Sequence, residues 1–175
     1  MFALWLNLSV FSNNSVSRPQ IVIGLISDTH GLMRPEIANV FAGVDLILHA
    51  GDVGGAHVLE ALGKIAPTEA VYGNVDDPFD PALARERTVA CGGVTVHVSH
   101  GHEFRGPTAA AVLARYSAAD VVVFGHTHRA VTVQAGARLA VNPGAAGPRR
   151  FNLQPSVARL TIERGRAAAE IISLA

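Results

Sequence analysis

The chain has 175 residues, 49% of them apolar and 16% charged, and fourteen acidic side chains balance fourteen basic ones. That length suits one domain with a sizeable core, and the apolar share excludes disorder for the chain as a whole. Zero net charge excludes a global field that would draw in nucleic acid or an anionic membrane, so neither a dedicated nucleic-acid surface nor membrane association is expected and phosphate recognition must be local.

The amino terminus, MFALWLNLSV, is followed by the polar tract SNNSVSRPQ, with no Lys or Arg before Arg18. It lacks both the basic start of a secretory signal and the ~18 continuous apolar residues of a membrane span. Residues 1–19 are expected to be a poorly ordered extension, and residues 20–175 a single domain.

Short β-branched runs then follow: IVIGLIS (21–27), DLILHA (45–50), EAVYG (69–73), VTVHVS (94–99) and VVVFG (121–125). They read as buried strands. Between them, residues 35–41, 56–65 and 108–119 carry Ala, Leu and Glu at helical spacing, with Pro35 and Pro107 placed for helix starts. Alternation of strand and helix predicts parallel pairing. Closer strands follow at 131–134, 138–142, 156–163 and 166–173, the last two joined as a hairpin across Arg164-Gly165.

The first five runs end at Asp28-Thr29-His30, Gly51-Asp52, Gly73-Asn74, His100-Gly101-His102 and Gly125-His126-Thr127-His128. Carboxyl ends of parallel strands in an open α/β sheet share one edge, where ligands bind. Seven metal-ligating side chains, Asp28, His30, Asp52, Asn74, His100, His126 and His128, are therefore expected in one crevice. Residues two apart in an extended chain face the same side, which predicts that Asp28 joins His30 and His126 joins His128.

Cys91 is the single cysteine, which rules out an intramolecular disulfide and a thiolate zinc site and suits a reducing, cytoplasmic setting. Seven donors exceed the four of a tetrahedral zinc, so two divalent ions sharing ligands fit better, with Asp52 as the candidate bridge. Between such ions a water can reach a pKa near 7, roughly, and supply hydroxide. Manganese is the first choice, with Fe, Zn, Ni and Co as alternatives of suitable ligand type.

In order, SDTH, HAGD, YGNVD, SHGH and FGHTH resemble the calcineurin-like metallophosphoesterases, and NPGAAGPR (142–149) resembles the NPGS-type loop of their small bacterial and archaeal phosphodiesterase branch. The resemblance implies a four-layer α/β/β/α sandwich of the metallo-dependent phosphatase type. It assigns Asp28, His30, Asp52 and His128 to one metal, and Asp52, Asn74, His100 and His126 to the other. Val75 stands where many members of the superfamily carry a His, which leaves the proton donor to Asp76, His102 or water. Self-association is an expectation by resemblance only.

These residues predict in-line attack on a small phosphodiester by a metal-bridging hydroxide, with Asp52, Asn74 and His102 in the catalytic apparatus. Arg149, beside the glycine-rich loop, is the candidate substrate contact, with Arg150 as its neighbour. A phosphomonoesterase is one alternative. A non-catalytic, protein-binding scaffold of the same fold is the other, the retromer subunit being similar in architecture. His49 is expected to orient a ligand, His97 to be buried, His57 to lie at a helix start or on the surface, and Asp77 and Asp80 to form turns.

Overall fold

The computed structural model describes residues 20–150 and 152–175, and the expected extension at residues 1–19 lies outside them. In chain order the elements are β1 (Gln20–Ile26), α1 (Glu36–Val40), β2 (Leu46–His49), α2 (Ala56–Gly63), β3 (Thr68–Val71), β4 (Leu83–Ala84), β5 (Glu86–Cys91) and β6 (Val94–Ser99). A 3-10 turn (His102–Phe104), α3 (Ala109–Arg115), β7 (Val121–Val123), β8 (Val131–Ala135), β9 (Arg138–Asn142), β10 (Ser156–Glu163) and β11 (Arg166–Ser173) complete it. Among the described residues no helix is long and apolar enough to cross a membrane.

The strands form two sheets, ordered β11-β10-β1-β2-β3-β4 and β5-β6-β7-β9-β8. The single parallel edge expected from the sequence is thus divided. β1, β2 and β3 run parallel in the first sheet, β6 and β7 in the second. β4 and β5, absent from the sequence reading, carry the chain between the sheets. β5 alternates exposed and half-buried residues, as an edge strand does, and its charged Glu86-Arg87 start masked it.

Apolar faces explain the layering. Ile23, Leu25, Leu48 and Val71 of the first sheet meet Val96, Val98, Val121, Val123 and Val141 of the second in one central core. α1 and α2 cover the outer face of the first sheet through Ile37, Phe41, Val58 and Leu62, and α3 covers the second through Val112 and Leu113. This is the four-layer α/β/β/α arrangement. Phe41 lies so close over β1 that a Cβ at Gly24 would stand 3.0 Å from its ring.

Helix ends account for two of the thirteen arginines. α3, expected over 108–119, starts one residue later because extended Thr108 is its cap, the hydroxyl accepting the Ala111 N–H at 3.2 Å. Its far end is held by Arg138 of β9, which donates to the carbonyls of Leu113, Tyr116 and Ala119 at 2.9, 2.6 and 2.7 Å. Arg159 of β10 likewise donates to the Val40 carbonyl at the end of α1, at 2.7 Å. A guanidinium carries five donors in a fixed fork, so one side chain satisfies several orphan carbonyls that a lysine would serve singly.

His49, at the end of β2, ties two site loops together. Its Nδ1 accepts the Gly51 N–H at 3.2 Å, which leaves the proton on Nε2 for Thr29 Oγ1 at 2.9 Å, and Thr29 donates onward to the Val53 carbonyl at 2.8 Å. Complete burial outweighs the nearby Asp28 and Asp76 charges and takes the His49 pKa from 6.5 down to about 4.

Two outcomes are expected. Arg138→Lys keeps the charge yet destabilises the protein by about 1–3 kcal/mol in urea unfolding, through carbonyls left unpaired, and a wild-type midpoint would contradict the clamp. Between roughly pH 6.5 and pH 4 the unfolded chain binds a proton that folded His49 refuses, so stability falls as pH falls, by about 1.4 kcal/mol per unit. His49→Gln removes that contribution and flattens the pH dependence of unfolding over this window; parallel curves for the two proteins would refute it.

Candidate metal centre

The seven predicted side chains lie at the carboxyl ends of β1, β2, β3, β6 and β7, which the two packed sheets bring together. Asp28, Asp52, His100 and His128 are buried, His30 and His126 half-buried, and Asn74 is exposed. Ligand atoms of Asp28, His30 and His128 all lie within 4.8 Å of one another, and so do those of Asp28, Asp52 and His100. His128 Nε2 is 3.2 Å from Asp28 Oδ1 and 3.3 Å from His30 Nε2, while His30 Nε2 is 3.8 Å from Asp52 Oδ2. On the other side His100 Nε2 is 3.4 Å from Asp52 Oδ1, and His126 Nδ1 is 3.0 Å from Asn74 Oδ1.

The convergence has a different backbone origin from the one expected. Asp28, His30, Asp52, His126 and His128 have φ of 54°, 46°, 54°, 68° and 59°, which is left-handed and not extended. Alternation along an extended chain therefore does not account for the Asp-x-His and His-x-His pairs. Each tight loop instead turns its side chains inward through a conformation that costs non-glycine residues on the order of 1 kcal/mol or more. Backbone bonds between loops hold it in place: Asp28 N–H to the Gly51 carbonyl at 2.9 Å, His30 N–H to that of Asp52 at 2.9 Å, and Gly31 N–H to that of Val53 at 2.8 Å.

Space is as tight as conformation. A Cβ on Gly73 would collide with Asp52 Oδ1, and one on Gly125 would collide with Ser27 Oγ and stand 2.9 Å from Asp28 Oδ2. The 142–149 loop closes the base of the site. Ala146 and Gly147 donate to the carbonyls of Ser27 and Asp28 at 2.9 and 3.1 Å. Asn142 donates to the Gly125 carbonyl at 2.8 Å and to Thr127 Oγ1 at 3.1 Å, fixing the turn that carries His126 and His128. Arg34 grips the same loop by the Ala146 and Gly147 carbonyls, at 3.1 and 3.2 Å. No sequence signal marked Arg34, whereas the Asn-Pro-Gly string marked the loop without revealing what Asn142 holds.

Electrostatics suits a cation. Burial alone would raise the Asp52 pKa, but the His100 bond and charge, the Val75 N–H at 3.1 Å and His30 together bring it down to about 2. Burial opposes the charging of His100 too, yet the bond to Asp52 and the Asp28 and Asp52 charges raise it. Burial lowers His30, with a contribution from Arg150, and also His126, beside His100. The His100 Nδ1–H donates to the Ala50 carbonyl at 2.7 Å, which directs Nε2 at Asp52. Asp28 Oδ1 is buried without a hydrogen bond, and buried His100 Nε2 has only the long 3.4 Å approach to Asp52. Two carboxylates and imidazole nitrogens facing one another, with Asp28 Oδ1 unbonded, form a donor set of nitrogen and oxygen that fits a divalent metal.

The remaining expectations divide. His102 opens the 3-10 turn with its ring centroid 5.4 Å from that of His100 and 6.5 Å from that of His126, so it stands at the edge of the centre. Tyr116 steadies that turn by contacting Glu103 and Glu86 at 3.0 Å. Asp76 serves the loops: its carboxylate accepts the N–H groups of Val53, Gly54 and Gly73 at 3.0, 2.9 and 2.9 Å. His57, read as a helix-start residue, also reaches the Gly31 carbonyl with Nε2 at 2.8 Å. Asp77 and Asp80 form the expected turns, accepting from Phe79 and Ala82 at 2.9 Å. Arg149 and Arg150 are exposed and line a groove with His128 and Gln154.

Residues 21–165 match the calcineurin-like phosphoesterase superfamily domain. A probable metallophosphoesterase of Methanothermobacter thermautotrophicus is 36% identical over 159 residues, covering 87% of this chain and 92% of that protein. Among solved structures, a single mutant of Vps29 from Entamoeba histolytica superposes with a TM-score of 0.72 at 21% identity, covering 89% of this chain and all of that one (100%). A novel archaeal phosphodiesterase gives 0.69 at 24% identity, covering 87% and 100%. At those identities the structural likenesses show the fold alone. With its family match spanning most of its length and a curated relative above a third identical, the chain belongs to the calcineurin-like phosphoesterase superfamily.

Proposed function

We propose that the protein is a phosphodiesterase working with two divalent metal ions, manganese first among them. The observation that carries this reading is the meeting of Asp28, His30, Asp52, His100 and His128 ligand atoms in two overlapping groups that share Asp28. Asp28, His30, Asp52 and His128 would hold one ion, and Asp52, Asn74, His100 and His126 the other. When bound, such ions supply charge neutralisation and water activation at neutral pH.

The chain's own residues do the rest. Asp52 has one oxygen toward His100 and the other toward His30, the placement a bridging carboxylate needs. Asn74 is the exposed member, open to substrate. His102, at the edge, is the candidate to protonate the leaving oxygen, and Arg149 and Arg150 are candidates to meet a phosphoryl oxygen beside His128. A monoanionic diester needs less cationic help around the metals than a dianionic monoester does. The likeness to Vps29 leaves a second reading, a protein-binding scaffold, which has no physical need for the seven ligands and predicts no turnover with any metal.

The test is hydrolysis of bis(p-nitrophenyl) phosphate by the purified chain. Turnover is expected with Mn2+, lost in EDTA, restored by metal, and abolished by Asp52→Asn with an unchanged circular dichroism spectrum. Turnover that survives Asp52→Asn, or proceeds equally without metal, would overturn the assignment; release faster from p-nitrophenyl phosphate than from the diester would make the protein a monoesterase.

A further inference from the structure

Four large apolar side chains are exposed among the described residues: Leu32 at 39%, Val75 at 55%, Phe79 at 90% and Val133 at 36%. Three of them sit on the loops that carry His30 and Asn74. A lone exposed apolar residue is ordinary, but apolar groups gathered around convergent polar ones mark a ligand site.

The loop bearing Val75 and Phe79 is rigidly built. Tyr72 N–H donates to the Ala84 carbonyl at 2.9 Å and closes its base, Asp76 fastens it to Val53 and Gly54, and Asp77 and Asp80 brace its tip. Val75 presents its N–H to Asp52 while its side chain lines a neighbouring cavity of about 300 Å3. Val53, Leu59 and Leu83 extend the apolar wall, and Asp76, Asp77 and Asp80 stand on it as the charged members, Asp76 with its carboxylate already taken by backbone N–H groups. Phe79, between those two aspartates in sequence, leaves its ring in solvent.

Volume and charge together narrow the occupant. A cavity of about 300 Å3 is at the small end of ligand pockets and takes one ring system, not a length of polymer. Carboxylates on its wall repel a second phosphate but accept N–H donors. A flat exposed phenyl ring offers a stacking surface.

We infer that this cavity and Phe79 bind the organic arm of the substrate, an uncharged aromatic ring with N–H donors such as a nucleobase, an inference that rests on the phosphodiesterase reading. Val75 joins the two places, since its backbone N–H meets Asp52 and the same residue lines the cavity.

Two esters with the same leaving group isolate the arm: thymidine 5′-(p-nitrophenyl) phosphate and methyl p-nitrophenyl phosphate, assayed with the full chain and Mn2+. The nucleoside ester is expected to have at least about tenfold higher kcat/KM, carried by KM, and Phe79→Ser and Val75→Ser are each expected to bring the ratio to within about twofold. Equal kcat/KM for the two esters in the unmodified protein overturns the inference while leaving the phosphodiesterase reading standing. A preference unchanged in both variants overturns it as well and leaves the apolar rim to a protein partner. Turnover of neither ester overturns the phosphodiesterase reading itself, and this inference with it.

Discussion

Two carboxylates buried side by side set the terms for the rest of the molecule. Asp28 is fully buried and Asp52 is 3% exposed, and the groups packed around them are imidazoles and backbone N–H groups. Charge taken out of water is costly unless it is paired and hydrogen-bonded, and like charges in one site compound the cost. Everything nearby answers that problem in part. The His126 N–H and Ser27 Oγ are turned on Asp28, the Val75 N–H and His100 on Asp52, and His100 is pushed toward its cationic form. Imidazolium is a weak answer at neutral pH, whereas a divalent ion is a complete one.

The surrounding architecture is what keeps such an arrangement from collapsing. Two sheets pressed together through a dry valine-rich core give five strand ends a common, stiff base. Arginine forks then secure the parts that strand pairing does not reach: Arg138 and Arg159 at the helix ends, and Arg34 at the 142–149 loop. Thirteen arginines against one lysine in a chain of zero net charge make sense on these terms, because several of them serve backbone carbonyls within the fold.

Much of this was legible in the residues. Each β-branched run was followed at once by Asp, His or Asn with glycine beside it, and that punctuation located all seven clustered donors. The division into two sheets was implied by the family resemblance and not by the strand runs themselves, which have the same composition and period on either side of the sandwich. β5 was hidden by Glu86 and Arg87, charges that an edge strand tolerates and a buried run does not. The left-handed backbone of Asp28, His30, Asp52, His126 and His128 was invisible for a deeper reason. Propensity argues against it, and tertiary bonds such as those from Asp28 to Gly51 and from His30 to Asp52 impose it. Asp76 shows the limit from the other direction: its place beside the site in sequence offers a proton donor, and in the fold the carboxylate accepts from three backbone N–H groups.

Strain of this kind also bears on why the site exists in this form. A fold selected for stability alone would place glycine or asparagine at left-handed positions and would keep carboxylates out of its interior. Here five non-glycine residues hold that conformation within one cluster, all of them Asp or His, and glycines 73 and 125 leave room for the same side chains. The architecture shared with Vps29 is a likeness of fold alone, and a fold does not by itself set function. The local cost falls on donor atoms and on the backbone that aims them, while the apolar rim at Val75 and Phe79 lies on a braced loop just beyond. Side chains that are expensive to place and point at one another are explained by a cation to be held, and exposed apolar groups beside them by an uncharged group to be held next to it.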